Sequence, residues 1–436
     1  MLVNRPVSFL DLVLSISEST DLIDSNINYH GKRVAFIALN ISNELGLNLS
    51  DKNTIIIAGL LHDIGAFSLQ DKLAAASFEF EFKYDPKEIN KHSELGYMLL
   101  NKFKPLSEVA EIIRYHHFTY KESKKLINID KNIVLFSQII HLADRIDILI
   151  NRKVNILSQV KNIYDKILEY SSDYFNPELV EVFDSLKQKE SFWLDIASNP
   201  QILTFSRFIG YLPLDFSLDK ILDFSKMFSQ IIDFRSSFTA MHSKGVTATS
   251  ILLAKLVNFS ETECKMMEVA GYLHDLGKLS VPAEILEKQA GLSKDEFDII
   301  RSHAYFTYKI LSDVANLDTI NTWAAFHHEY LDGSGYPFHL KKDELSLGSR
   351  IMAVSDIFTA ITEDRPYRKG MSKTESLKVV ETMAKNNKID TELVSVLKSN
   401  YDVINSSRAV AQKEALIQYG EFRKHYNNNA KSKKLK

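Results

Sequence analysis

Ten of the thirteen histidines in this 436-residue chain fall into two sets that repeat one another. The first is His30, His62, His92, His116 and His117, accompanied by Asp63 and Asp144. The second is His242, His274, His303, His327 and His328, accompanied by Asp275 and Asp356. The offset is 212 residues for His242, His274, Asp275 and Asp356, and 211 for His303, His327 and His328. A histidine alone in a helix is ordinarily structural, but seven His and Asp residues recurring at near-constant spacing are a donor set within a tandem duplication. Imidazole with carboxylate suits Fe, Mn, Zn or Ni better than Ca or Mg, and the lack of cysteine in the two sets argues against a structural zinc site. Seven ligands are too many for one ion that must also keep a water. They suit two ions sharing one bridging carboxylate.

The residues around the donors repeat as well. AGLLHDIGAF at 58–67 matches AGYLHDLGKL at 270–279, and IIRYHHF at 112–118 matches NTWAAFHHE at 321–329 in position. A period of about 212 residues is far too long for a solenoid, so each copy is a whole domain. The division falls at 1–205 and 213–436, around the turn-like Gly210-Tyr211-Leu212-Pro213. In 264–276, Met266, Val269, Ala270 and Leu273 follow the i, i+3, i+4, i+7 rule of one apolar helix face. The nearly continuous apolar run in 54–62 would suit a strand by its β-branched content, but its match to the second copy makes it a buried helix. No stretch alternates with period two, so the expected fold is all-α, two tandem helical bundles.

Composition narrows the function classes. With 45% hydrophobic and 25% charged residues the chain is an ordinary globular mix, and its 15 glycines and 9 prolines are few for a turn-rich β fold. A net charge of −3 offers no general attraction for polynucleotide or membrane, so phosphate recognition must be local. Lys431 to Lys436 form a basic tail, expected to be solvated. A single cysteine, Cys264, excludes an internal disulfide and suits a reducing compartment. Met1 to Leu14 lacks the features of a signal peptide, and no apolar run reaches the roughly 18 residues of a membrane span. Cytoplasm is the expected location.

The order His242, then His274-Asp275, then Asp356 resembles the H…HD…D signature of the HD superfamily of metal-dependent phosphohydrolases. His327-His328-Glu329-Tyr330-Leu331-Asp332-Gly333-Ser334-Gly335-Tyr336-Pro337 resembles the signature of its HD-GYP subfamily. His274-Asp275-Leu276-Gly277-Lys278 and Asp364-Arg365-Pro366-Tyr367-Arg368 match further, so the resemblance spans roughly 220–400. It implies an HD-type bundle of about seven helices and hydrolysis of a cyclic dinucleotide, cyclic di-GMP or cyclic GMP-AMP, to linear dinucleotide or mononucleotides. By the same resemblance His242, His274, Asp275 and Asp356 hold one metal, and Asp275 bridges to a second held by His303, His327 and His328. Fe or Mn is the expected pair. A solvent between two such cations has a lowered pKa and supplies hydroxide for in-line attack on phosphorus. Lys278 is expected to contact the phosphate or assist the leaving oxygen. Arg365 and Arg368 are candidate phosphate clamps, because a guanidinium grips two oxygens. The Gly333-to-Pro337 turn positions the two histidines before it, and Tyr336 is a candidate base contact. Some relatives of this type hold a third metal through a Glu four residues before the first histidine. Here Phe238 stands in that place, and Asn26 in the first copy, so two metals are expected.

The first copy keeps all seven ligand types and loses the rest. Ala66 replaces Lys278, Phe118-Thr119-Tyr120-Lys121-Glu122-Ser123 replaces the glycine turn, and Asn151-Arg152-Lys153-Val154-Asn155 replaces the second arginine motif. This copy is expected to bind metal and to act as a sensor or dimerisation element. Two other readings stand beside the phosphodiesterase: a different HD-type nucleotide phosphohydrolase, and a signalling module whose metals are structural. The complete Gly-Tyr-Pro signature argues against the first. Ligand completeness argues against the second, since a pure interaction module is free to lose ligands. A homodimer or a separate signalling partner fits such a chain.

Overall fold

The computed structural model describes residues 7–21, 29–66, 86–198, 215–233, 237–286, 288, 290–365 and 368–432. Their regular structure is helical, apart from a two-residue antiparallel pairing of Val7–Ser8 with Asp215–Phe216. Five helices of the first copy carry its donors: His30–Glu44, Leu49–Leu61, Pro86–Leu100, Ser107–Tyr115 and Lys131–Leu149. Five helices carry them in the same order in the second: Ser237–Leu256, Glu261–Leu273, Lys294–Ser312, Asp318–Ala325 and Leu347–Thr362. The duplication read from the histidines is therefore a duplication of helices.

Local sequence explains where these helices begin. The Asn48 side chain accepts from Asp51 N, and Ser260 with Glu263 and Ser293 with Glu296 close reciprocal capping boxes. Each satisfies backbone donors that a first turn leaves unpaired. The apolar run of 54–62 lies in the helix Leu49–Leu61, with Ile55, Ile56 and Ala58 wholly buried. Tertiary packing overrides β-propensity there because the helix is covered on several sides. In the helix Glu261–Leu273 Met267 is fully buried, and Met266, expected on the core face, is only partly covered.

Packing brings the donors together in two groups per copy. The His30 helix packs against Leu49–Leu61 and Lys131–Leu149, and the His242 helix packs against Glu261–Leu273 and Leu347–Thr362. That gathers the first histidine, the His-Asp pair and the distal aspartate. The His92 helix packs against Ser107–Tyr115, and the His303 helix against Asp318–Ala325, which gathers the remaining three histidines.

By contacts, the described residues form two compact units, one from Ile16 to Ser198 with residues 429–432, and one from Asp215 to Asn428 that also takes in residues up to Ser15. The sequence division had assigned all of 1–205 to the first domain. The physical reason for the difference is Phe9, buried with its ring centroid 4.7 Å from Phe216 and 5.9 Å from Phe224, beside the Val7–Phe216 pairing. Gly210 to Pro213, where the boundary was placed, lie outside the described residues, as do Asn26 and the Phe238 side chain. Among the described residues no helix is long and apolar enough to cross a membrane.

Phe9→Ala is expected to destabilise the second unit by about 3–5 kcal/mol, the usual cost of deleting a buried phenyl ring. Chemical denaturation followed through the second unit reads it, and an unchanged midpoint would detach Phe9 from that core.

Candidate metal centre

In the second copy the donors sit where helices end or cross. His274 caps the C-terminus of Glu261–Leu273, and Asp275 opens the 3₁₀ turn Leu276–Ser280. A 3₁₀ turn eclipses residues i and i+3, which places Lys278 directly over Asp275, with Nζ 2.5 Å from Oδ2. Gly277 is required because a Cβ there would lie 1.9 Å from the His303 carbonyl oxygen. The helix carrying His303 thus crosses hard against the turn carrying Asp275. Gly65 plays the same part in the first copy, with a Cβ position 2.1 Å from the His92 carbonyl oxygen.

Two triads result, His242 with His274 and Asp356, and His303 with His327 and His328, each with donor atoms within 4.8 Å of one another. Asp275 stands between them. Its Oδ2 is 3.3 Å from His274 Nε2 in one triad, and its Oδ1 is 3.5 Å from His303 Nε2 in the other. The structure therefore brings these seven residues together as two triads with Asp275 between them.

The hydrogen bonds say which atoms are offered. His274, His303 and His327 each donate Nδ1–H to the carbonyl three residues back, of Gly271, Ile300 and Ala324, at 2.8, 2.6 and 2.7 Å. Their Nε2 atoms are then lone-pair acceptors. Yet His303 Nε2 and His327 Nε2 lie 3.1 Å apart, and buried His274 Nε2 has no hydrogen-bond partner. Two facing lone pairs and an orphaned third describe a place for a cation, and the residues present fit metal ions.

Protonation suits the same role. Burial disfavours charge on His303, and with His328 and Lys278 nearby its pKa falls to about 3 despite Asp275. His327 is held well below the usual range by burial and His328. Burial would raise Asp275, but Lys278 and His274 outweigh it and keep the carboxyl well below its ordinary value. Asp356 is depressed too, because the His242 hydrogen bond and the charge of His328 overcome burial. His242 moves the other way. Burial opposes its charge, but Glu363 and Asp356 lift it to about 10. Neutral imidazoles and ionised carboxylates are the forms that ligate metal, so His303, His327, Asp275 and Asp356 stand ready while His242 gives up a proton to ligate.

The residues expected to handle substrate are more engaged than the sequence suggested. Lys278 pairs with Asp275. Arg365 gives Nε and Nη2 to Glu363 Oε1 at 3.1 and 2.8 Å, and Arg368 Nη2 donates to the Ala360 carbonyl at 2.7 Å. Tyr336 lies on His328, ring centroids 4.7 Å apart, and its N–H donates to the His328 carbonyl. Gly335 has no room for a Cβ, which would lie 2.4 Å from Tyr330 N. Sequence reasoning missed two carboxylates. Buried Glu329 accepts from Phe338 N and Leu340 N and so holds the loop after the histidines. Glu363 accepts from His242 Nδ1 at 3.2 Å. Glu329 was inside a motif already noticed, but only the folded loop shows what its carboxylate does.

The first copy builds the same pair of triads, His30 with His62 and Asp144, and His92 with His116 and His117. Asp63 again faces both, 3.6 Å from His62 Nε2 and 3.4 Å from His92 Nε2. His62 and His116 donate Nδ1–H to the carbonyls of Gly59 and Ile113, leaving buried Nε2 atoms without hydrogen-bond partners. His92 Nε2 and His117 Nε2 are 3.0 Å apart. Two differences stand out. Ala66 leaves Asp63 uncovered, its side chain 18% exposed against 2% for Asp275. Buried Arg145 grips Asp144 Oδ2 at 2.6 Å through Nη2, and the position matching Arg145 in the second copy is Ile357.

Paired triads bridged by an aspartate, in two like sets of helices, agree with family descriptions. Residues 28–149 and 226–393 each match a family described as HD domain. The chain belongs to the HD superfamily as a tandem pair, with a second copy of the HD-GYP type. Among its relatives are 3'3'-cGAMP-specific phosphodiesterases 1 and 3 of Vibrio cholerae serotype O1. The first is 28% identical over 400 residues, covering 88% of this chain and 90% of the relative. The second is 25% identical over 444 residues, covering 90% and 95%. A cyclic di-GMP phosphodiesterase of Pseudomonas aeruginosa, PA4108, is 38% identical over 142 residues, about a third of each chain. A crystal structure of the cyclic GMP-AMP-specific phosphodiesterase V-cGAP3 of V. cholerae superposes with a TM-score of 0.63 at 22% identity, covering 91% of this chain and 98% of that one. It shares the fold.

Asp275→Ala is expected to lose metal from the second cluster while helix content by circular dichroism stays unchanged. Elemental analysis after desalting checks this, and a parental metal content would take Asp275 out of the centre.

Proposed function

We propose that the second copy is a phosphodiesterase that opens a cyclic dinucleotide, using two divalent metal ions held by His242, His274, Asp275, His303, His327, His328 and Asp356. The observation that carries this reading is Asp275, whose two oxygens each face a separate triad of donors. A donor set of imidazole and carboxylate without thiolate favours Fe or Mn. Bound there, such ions activate a water as nucleophile and draw negative charge from the phosphate.

The chain's own residues do the positioning. Asp275 holds its place between the triads, with Lys278 on its Oδ2 and Gly277 pressed against the His303 carbonyl. Lys278 is the nearest cation to the bridging carboxylate and is placed to shift onto a phosphate oxygen or steady the departing one. Tyr336 lies over His328, whose side chain is 25% exposed, so that face is the approach to the centre and Tyr336 is placed to meet a base. Arg368, bound through Nη2 to a backbone carbonyl, is the better placed of the two arginines to reach phosphate, because Arg365 is committed to Glu363.

Between the substrates named for the relatives, 3'3'-cGAMP leads. Two relatives specific for it align with about nine-tenths of this chain, both copies included, and a third with 41%, whereas the cyclic di-GMP enzyme of P. aeruginosa aligns with about a third. The first copy we assign a metal-binding, non-hydrolytic role. Its two triads are complete, but Arg145 neutralises the outer oxygen of Asp144, and Ala66 leaves no lysine at the bridging carboxylate. The absence of a spanning helix among the described residues and the single cysteine support a cytoplasmic enzyme.

The test is turnover of a panel of cyclic dinucleotides by metal-loaded, full-length protein prepared without oxygen. 3'3'-cGAMP is expected to be the best substrate. Asp275→Ala is expected to lower turnover by ~10²–10³-fold or more, the scale of losing one preorganised charge. Asp63→Ala is expected to cost far less. Turnover that survives Asp275→Ala and disappears with Asp63→Ala would move the active site to the first copy.

A further inference from the structure

Among the ligand histidines of the second copy with a described Nδ1 hydrogen bond, three use the carbonyl three residues back. His242 does not. Its Nε2 lies 2.9 Å from Asp356 Oδ1, and its Nδ1 donates to Glu363 Oε2 at 3.2 Å. Asp356 and Glu363 are seven residues apart at two turns' spacing, on and just past the helix Leu347–Thr362, so one helix brackets both nitrogens of the ring. Glu363 is itself held from two directions. Arg365 gives two hydrogen bonds to Oε1, and Gln412 of the long helix Tyr401–Ser432 gives Nε2 to Oε2 at 3.1 Å. Arg408 and Gln412 are hydrogen-bonded in turn, and Arg408 donates to Asn405.

The first copy reaches the same arrangement with other residues. His30 Nδ1 donates to Asp147 Oδ2 at 2.7 Å, and Asp147 is held by Arg33 and Arg152. At the 212-residue offset Asp147 corresponds to Thr359 and Arg33 to Gly245, so neither residue of that ion pair survives in the second copy. The space is refilled. A Cβ on Gly245 would lie 2.7 Å from Gln412 Nε2 and 2.8 Å from Thr359 Cγ2. The loss of the arginine side chain is what admits Gln412, and the carboxylate has moved one turn along its helix and gained a methylene.

We propose that Glu363 is a positioning residue for the metal ligand His242, that Arg365 and Gln412 orient it, and that the terminal helix thereby belongs to the metal centre. A carboxylate on Nδ1–H fixes the tautomer that presents Nε2, locks the ring plane and raises the basicity of the ligating nitrogen. Arg365 thus acts through Glu363 rather than as a phosphate clamp. This inference rests on the reading that the second cluster holds metal.

The test follows metal release to a chromophoric chelator, without substrate, from full-length protein carrying Asp63→Ala so that the second cluster is read alone. Glu363→Ala is expected to speed release ~10–100-fold, the usual effect of removing a ligand's hydrogen-bond partner. Glu363→Gln, nearly isosteric and still able to accept from Nδ1–H, is expected to fall between parent and alanine variant. Arg365→Ala and Gln412→Ala are expected to speed release too. Release at the parental rate from either Glu363 variant overturns the proposal. An Arg365→Ala protein with a raised KM and parental release returns Arg365 to the substrate and overturns its place here. A parent that holds no metal instead overturns the reading of the cluster, which separates the two failures.

Discussion

Imidazole lone pairs turned toward one another in a buried space are the constraint on which the structure depends. In the second copy His303 Nε2 and His327 Nε2 stand 3.1 Å apart while both Nδ1 protons are committed to carbonyls. Such an arrangement is repulsive unless a cation lies near. The neighbouring carboxylate, Asp275, is aimed so that each oxygen meets a different triad. The surrounding structure serves that convergence. Gly277 lets two backbones touch, and serine–glutamate boxes start the helices that carry the donors. The 3₁₀ turn sets Lys278 over Asp275. Each device is local, but its value lies in bringing several charged groups out of water only where they satisfy one another.

Duplication followed by divergence left two centres of the same geometry in different electrostatic settings. Around the first, Arg145 takes one oxygen of Asp144, and Arg33 and Arg152 surround Asp147. Around the second, Lys278 sits on the bridging aspartate, and Arg365 is one residue removed from the centre, on Glu363. A guanidinium bound to a ligand's outer oxygen withdraws charge that a metal would otherwise use. In the second copy the cation sits instead on the carboxylate between the triads, Lys278 on Asp275. The loop with Gly335 and Tyr336 covers a ligand histidine in the second copy, and the first has no counterpart in its sequence.

The all-helical fold, the duplication and the seven donors of each copy were legible before any coordinates. Metal ligation demands particular side chains at particular helix positions, and that demand is written one residue at a time. His62 and His274 both stand where a helix ends, and the offset stays at 211 or 212 residues across all seven donors. The part played by Glu363 was not legible, because it holds His242 across 121 residues and stands in a register with no equivalent in the first copy. Arg365 and Arg368 looked alike as cations in one motif, yet one lies on a buried carboxylate and the other on a carbonyl.

Phe9 marks the same limit at the scale of domains. Nothing in its neighbourhood says that it packs on Phe216 and Phe224, some two hundred residues away. By itself the sequence determined the ligand inventory, the helical periodicity and the doubling, because each follows from residue type and short spacing. Only the tertiary structure decided which carboxylate holds which histidine, which cations are committed, and where the first residues belong. Those outcomes depend on distances between segments far apart in the chain, which packing sets and local pattern does not.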